Sequence, residues 1–195
     1  MKRLIDIIGA TVGCFILIPF LPLIALAIKL DSRGPTLVKL KRVSAGKIIH
    51  VYKFRSMIHG AHRMKPSLAH LNERRDGPFF KITHDPRVTR VGKYLRRCRL
   101  DEWPQLINVF TGELSLVGPR PHEPEEVEKY PSEYRHIGFA KAGITGLSQI
   151  NGASSLPFLK ELEWDRYYLQ NHSLRLDIKI IAKTIWIAFV DRNAV

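Results

Sequence analysis

The 195-residue chain is 45% hydrophobic and 25% charged, a balance that excludes a disordered or collagen-like polymer and gives enough length to bury the core of one domain. Thirty-one Lys and Arg against 18 Asp and Glu give a net charge of +13, so an anionic counterpart is expected: nucleic acid, a membrane surface or a phosphorylated substrate. Two cysteines, Cys14 and Cys98, exclude a disulfide framework and point to a reducing compartment.

The chain opens on an apolar run, Ile7 to Ile28, 22 residues without a charge. As one helix it would extend about 33 Å at roughly 1.5 Å per residue, enough to cross a hydrocarbon core of about 30 Å. Pro19 and Pro22 interrupt it, each removing a backbone hydrogen bond at a cost of about 3 kcal/mol in a straight helix. Lys2 and Arg3 precede the run, and Lys29, Arg33, Lys39, Lys41 and Arg42 follow it. The cytoplasmic preference of basic residues therefore puts both ends in one compartment. A helix bent at the prolines that enters one leaflet and returns meets both conditions. Two other readings stand beside it. One is a kinked spanning anchor. The other is a secretory signal peptide, with Met1-Lys2-Arg3 as n-region and Ala25-Leu26-Ala27 as a small-residue cleavage site.

Gly34-Pro35 ends this arm. Thr36 to Val43 and Ile48 to Phe54 are β-rich runs around Ser44-Ala45-Gly46-Lys47, the signal of a β-hairpin. Residues 58 to 80 are polar, with Pro66 and Gly77-Pro78 as breakers, and read as a helix plus a mobile loop. His59 and His62 have helical spacing but no completing carboxylate or thiol, which leaves them as solvated surface.

Seven basic residues (Lys81, Arg87, Arg90, Lys93, Arg96, Arg97 and Arg99) and the acid Asp85 fill the segment 81–99. Leu100-Asp101-Glu102-Trp103-Pro104 follows. Pro is tolerated in the first turn of a helix, so a helix is expected to start near Leu100 or Asp101, placing two adjacent carboxylates at its positive end. Simple capping is the competing role for such residues. In Leu116-Val117-Gly118-Pro119-Arg120-Pro121, an arginine between two prolines has little backbone freedom, which suits a fixed fork for phosphate oxygens, while a water-facing loop arginine is the plainer alternative. Gly143-Ile144-Thr145-Gly146 reads as a turn. Residues 124–137 and 156–171 read as helical. A last helix over Leu174 to Val190 carries Leu174, Ile178, Ile181, Ile185 and Phe189 on one stripe, expected to be packed core or a membrane-interface face. No Walker A loop, GxGxxG, HExxH, GxSxG or CxxC is present.

Taken in order, KLDSRGP (29–35), VYKFRSM (51–57), DPRVTRVGKYLRRCRLDEWPQLINVF (85–110), GELSLVGPRP (112–121) and GITGLSQING (143–152) resemble the bacterial sugar transferases, small monotopic phosphoglycosyl transferases that prime polyprenol-linked glycan assembly. The resemblance covers nearly the whole chain. It implies an α+β, predominantly helical fold with an N-terminal re-entrant membrane helix, a small β-hairpin and amphipathic interfacial helices. Residues 1–33 would form the membrane helix, broken at Ile18-Pro19, and 34–195 a cytosolic catalytic domain docked on the inner face of the bacterial cytoplasmic membrane.

The implied reaction moves a phosphosugar from a UDP-sugar to polyprenol phosphate, such as undecaprenyl phosphate, with UMP released. Asp101 would be the nucleophile and carry the phosphosugar as an acyl phosphate; Glu102 would orient it and, with Asp101, hold Mg²⁺. Arg96, Arg120 and Arg87 would bind substrate phosphate, and Asp85, Arg87 and Arg90 would order the neighbouring loop. Expected partners are the UDP-sugar, polyprenol phosphate and membrane phospholipid, and not nucleic acid; a homodimer is left open. The sequence departs from the family pattern at three places: Ile18 where Ser often precedes the break proline, Lys141-Ala142 where Arg-Pro is usual, and Ala153 where Arg commonly follows Asn-Gly. Two other functions are carried beside the transferase. One is a membrane-anchored nucleic-acid binder, from the basic 81–99 stretch. The other is a non-catalytic scaffold of the same fold, from Ala153.

Overall fold

The computed structural model describes residues 1–152 and 155–190, with side chains through 188; Ala153 lies outside the described residues. Helices dominate. α1 (Lys2–Leu17) leads through a 3-10 turn (Ile18–Phe20) into α2 (Leu21–Asp31); then come β1 (Leu37–Ser44), β2 (Lys47–Phe54) and α3 (Arg90–Arg97). A 3-10 segment (Leu100–Gln105) runs directly into α4 (Leu106–Thr111), followed by β3 (Ser115–Val117), α5 (Pro124–Val127), β4 (Gly143–Thr145), α6 (Leu147–Ile150), α7 (Phe158–Gln170) and α8 (Leu174–Val190).

The expected break falls at Ile18-Pro19 as a tightened turn rather than a gap. Pro22 has no N–H for the Ile18 carbonyl, and the Leu21 N–H takes that oxygen instead. Asp6, Ala10 and Leu17 are buried along one side of α1, and Ile28 on α2. The opposite side, with Leu4, Ile8, Val12, Phe15, Leu23, Leu26 and Leu30, is exposed. From Lys2 to Asp31 the helix is long and apolar enough to cross a membrane. Its polar start is anchored to the body: Asp6 accepts from the Ser115 hydroxyl and the Leu116 N–H, Arg3 donates to the carbonyls of Val109 and Phe110, and Lys2 pairs with Asp177 at 2.8 Å.

β1 and β2 form the expected hairpin, in register from Leu37↔Phe54 to Ser44↔Lys47. Ala45 and Gly46 make a two-residue turn with both φ positive, the geometry that suits strand twist. Side chains alternate along β2, so Ile49 and Val51 enter the core with Ala10, Val109 and Leu114. Two steps further, Lys53 points over the Leu100–Gln105 segment. Two steps beyond that, Arg55 is buried, donating to the carbonyls of Ile28, Ser32 and Arg33 at the end of α2. Asp31, on the same helix end, accepts from the Val91 N–H of α3 at 2.8 Å. One strand therefore joins the core, the site and the terminus of the apolar helix.

Several expectations need correction. Residues 58–80 contain no α-helix: the segment forms 3-10 turns at Ala61–Met64 and Pro66–Leu71, because Pro66 splits a run with little to bury. Residues 143–145 are a strand, not a turn, and pair in parallel with β3. A Cβ on Gly118 would lie 2.6 Å from the Lys141 carbonyl oxygen, so this pairing depends on glycine. The helical stretch 124–137 is shorter than expected, splitting at Pro131 into α5 and the 3-10 segment Ser132–Phe139. Helix α8 has the expected bounds but a different inner face. Ile178 and Ile185 are each 55% exposed, whereas Asp177, Ile180 and Ile187 are buried. The turn is dictated by Asp177, which Lys2 and the Tyr168 hydroxyl hold inside, an arrangement reaching across almost the entire chain. Phe189, the last member of that stripe, lies beyond the described side chains. At Lys141-Ala142, the alanine is buried and its N–H, which a proline would lack, donates to Ser44 Oγ at 3.1 Å.

Replacing Arg55 by Leu removes the buried guanidinium that ties together the carbonyls of Ile28, Ser32 and Arg33 at and just beyond the end of α2. The expected loss is about 2–3 kcal/mol, a fall of several degrees in the thermal midpoint of the detergent-solubilised chain followed by circular dichroism. Lys, with a single point of donation, should recover only part of it.

Candidate active site

The segment Leu100–Gln105 explains how two acids come to face one another's counter-charges. At roughly three residues per 3-10 turn, Leu100 and Trp103 share a face, and both pack into the cluster of Leu17, Ile28, Phe54 and Leu95. Asp101 lies on the next face, above Pro104, and is buried; Glu102 lies on the third. Arg99 opens the turn in the left-handed region, φ 55°, a conformation costing about 1–3 kcal/mol for a non-glycine residue and found mainly where function demands it.

Lys53 Nζ sits 2.5 Å from Glu102 Oε1. Burial alone would raise the Glu102 pKa, but Lys53, Arg120 and Arg99 together hold it down at about 2. Asp101 moves the other way. Loss of water raises its pKa above the ordinary carboxylate range, and the Glu102 charge adds to this against the pull of Lys53 and Arg96. One acid is thus committed to its cation, and its neighbour is a desolvated carboxylate with cations nearby. Arg96 reaches this point from α3: its Nε donates to Ser56 Oγ at 3.0 Å, and α3 is pressed so closely on Ser56 that a Cβ on Gly92 would collide with the Ser56 carbonyl.

The other named arginines divide. Arg120, in the loop after β3, faces Glu161, Glu102, Glu126 and Asp165; burial alone would lower its pKa, and these acids more than offset that, so it is firmly cationic. Arg87 is buried and committed to a bidentate pair with Asp85 (2.6 and 2.9 Å) and to the Ala61 carbonyl. Its geometry orders the loop, while Asp85 also feels Arg96. Arg90 is exposed. His59 and His62 are exposed, and no group of three or more His, Cys, Asp or Glu that could hold a metal occurs among the described residues.

Lys53 was not among the residues singled out from sequence. Nor was the buried network behind Arg120. There Glu161 pairs with His122 and Arg74, His122 bonds the Tyr130 hydroxyl, and Asp165 accepts from Ser148 Oγ at 2.7 Å and from the Arg120 N–H at 3.4 Å. The signal for both was inward periodicity. Lys53 follows Ile49 and Val51 on one strand face, and Glu161 and Asp165 fall among Phe158, Leu162 and Tyr168 on the buried face of α7. Burial, with Glu161 beside it, pushes the Asp165 pKa up to about 8.

The chain belongs to the bacterial sugar transferase family, whose model matches residues 1–191. It is 39% identical, over 99% of its length and 41% of the relative's, to the UDP-glucose:undecaprenyl-phosphate glucose-1-phosphate transferase of Klebsiella pneumoniae. It is 38% identical to the galactosyl transferase CpsE of Streptococcus agalactiae, over 99% of this chain and 43% of the relative. With the UDP-N-acetylgalactosamine-undecaprenyl-phosphate N-acetylgalactosaminephosphotransferase of Aeromonas hydrophila it shares 37% identity, over 95% and 43%. The chain thus spans about two fifths of the length of these curated relatives.

A carboxyl whose pKa is raised on folding binds its proton more tightly in the native state. Its contribution to stability is complete below about pH 4 and is lost as pH rises through about 8. Asp165→Asn should therefore flatten the decline in stability between those limits, measured as thermal midpoint against pH. An unchanged slope would show that Asp165 is ionised throughout.

Proposed function

We propose that the chain transfers a sugar phosphate from a UDP-sugar to undecaprenyl phosphate, with Asp101 as covalent nucleophile. One observation carries this reading most strongly: a buried, unpaired-by-lysine carboxylate, Asp101, adjoins a lysine-paired one, Glu102, among Lys53, Arg96 and Arg120. An ionised carboxylate needs no general base. What it needs is relief from repulsion as a pyrophosphate approaches, and fixed cations supply that where water is excluded.

In the first step an Asp101 oxygen forms a bond to the sugar-linked phosphorus, and the bond from that phosphorus to the bridging oxygen breaks. The electron pair leaves with UMP. In the second step an oxygen of undecaprenyl phosphate bonds to the same phosphorus and the Asp101 carboxylate is freed, yielding the polyprenyl diphosphate sugar. Lys53 holds Glu102 in place and lowers the cost of ionising Asp101; Arg96 and Arg120 are the candidate phosphate clamps, and Arg87 supports Arg96 through Asp85. The donor set suits Mg²⁺, which takes one or two carboxylates and completes its shell with phosphate oxygens and water. Asp101 and the free oxygen of Glu102 would hold it, and its charge would offset that of the donor's pyrophosphate and of the UMP that leaves.

The apolar helix fits the same reading. Bent at Pro19 into one leaflet, with its polar start and its end both tied to the catalytic body, it would set the site at the cytosolic surface of the bacterial inner membrane, where the lipid phosphate is presented. The exposed Ile178, Ile185 and Trp186 of α8 and Ile107 and Phe110 of α4 would rest at the interface. Residues 1–33 then act as the membrane element and 34–195 as the cytosolic catalytic unit.

The test is Mg²⁺-dependent UMP release from a panel of UDP-sugars with undecaprenyl phosphate. Asp101→Asn should abolish turnover, at least a thousandfold, since an amide oxygen cannot form the acyl phosphate; retention of most activity would remove Asp101 from this role. Chelation by EDTA should stop the reaction and added Mg²⁺ restore it. Lys53→Met removes the positive charge that most favours the Asp101 anion, so the acid limb of the pH–rate profile should move to higher pH with a fall in kcat. An acid limb left in place would mean that Lys53 does not act on the reacting group.

A further inference from the structure

The basic stretch 81–99 is only partly used by the site. Arg87 is turned to Asp85 and Arg96 to Ser56, but Arg90, Lys93 and Arg97 lie on the opposite face of α3, all exposed, with Tyr94 between them at 69% exposure. These positions have i, i+3, i+4 and i+7 spacing, one continuous helix face. The inner face of α3, through Val91 and Leu95, packs on Ile24 and Ile28 of α2, and the α3 amide of Val91 donates to Asp31. The outer face of α3 therefore begins where α2 ends. On α2 the exposed residues Leu23, Leu26 and Leu30 are joined in the last turn by Lys29, and Arg33 follows just past the helix end, all exposed. Apolar surface thus gives way to cationic surface along one side of a helix, and α3 widens the cationic part. Among the described residues none of these five cations is in an ion pair, and the acid closest in the packing, Asp31, is spent on capping α3.

We propose that Lys29, Arg33, Arg90, Lys93 and Arg97 form a collar that binds anionic phospholipid headgroups around the point where the apolar helix leaves the bilayer, so that the protein selects acidic lipid at its boundary. The inference rests on the membrane reading of α1 and α2 and adds lipid selectivity to it. The occupant follows from charge and level. A hydrocarbon-facing leucine row ending in unpaired Lys and Arg is the boundary that a leaflet's headgroups fit, and an exposed Tyr suits that depth. Each cation near an acidic surface strengthens association on the order of fivefold. Nucleic acid would meet the same charges, but nothing in a duplex matches the leucine row beside them.

The full chain reconstituted in mixed phosphatidylcholine–phosphatidylglycerol vesicles gives the test. The readout is the association of spin-labelled phosphatidylglycerol with the protein boundary relative to spin-labelled phosphatidylcholine. The expected preference is on the order of fivefold. It should fall in R90Q/K93Q/R97Q, which keeps only Lys29 and Arg33 of the collar, and approach parity in K29Q/R33Q/R90Q/K93Q/R97Q and for the unaltered chain in about 1 M salt, where the screening length is roughly 3 Å. Insertion without preference would overturn the collar and leave the membrane reading standing. Failure to insert in vesicles of either composition would overturn both. Displacement of labelled phosphatidylglycerol by duplex DNA at matched charge concentration would assign the face to nucleic acid instead.

Discussion

Two neighbouring carboxylates held out of water repel each other and every phosphate that comes near them. The structure resolves that conflict by placing cations from three separate elements around one 3-10 turn: Lys53 from the hairpin, Arg96 from α3 and Arg120 from the loop after β3. The result is asymmetric. Glu102 is neutralised by direct contact with Lys53, whereas Asp101 feels cations without being paired to one. That asymmetry separates two carboxylates into one anchored by its cation and one left without such a pair, in the way that differing environments push the pKa values of neighbouring carboxylates apart generally.

The same constraint orders the rest of the fold. Strand β2 carries Ile49, Val51 and Lys53 on alternate positions of one face, and Arg55 follows one residue past its end, so fixing the register by core packing also fixes the lysine at Glu102 and the arginine at the end of α2. Asn108, fully buried, pairs with both the Tyr52 N–H and the His50 carbonyl, giving the edge of β2 a partner and holding α4 against it. Through Arg55 and Asp31 the apolar helix is tied to the strand that bears Lys53 and to the helix that bears Arg96. The apolar helix and the Asp101–Glu102 turn are therefore linked through a few polar contacts, and little freedom is left between them.

Much of this was legible in the sequence because it is local. The hairpin, the apolar helix with its break at Pro19, the position of Asp101-Glu102 near a helix start and the bounds of α8 follow from runs, spacings and prolines. What escaped depends on pairs far apart in the chain. The inner face of α8 is set by Lys2 reaching Asp177, a contact no window of neighbouring residues contains. The parallel pairing of residues 143–145 with β3 needs a glycine at 118 to let two backbones meet. Lys53 was not singled out because only the packing of Ile49 and Val51 shows which way that strand face points. Glu161 and Asp165 went unremarked in a stretch read only as helical, although they share the face of Phe158, Leu162 and Tyr168 that the structure buries.

The claim on which these relations converge is that Asp101 bonds to phosphorus. Incubating the protein with a donor UDP-sugar and Mg²⁺ in the absence of undecaprenyl phosphate, then mapping peptides by mass spectrometry, addresses it directly. The account predicts a sugar-phosphate adduct on the peptide containing Asp101, with one UMP released per adduct, discharged when undecaprenyl phosphate is added. Turnover with no such adduct, or an adduct mapped to a residue other than Asp101, would contradict it.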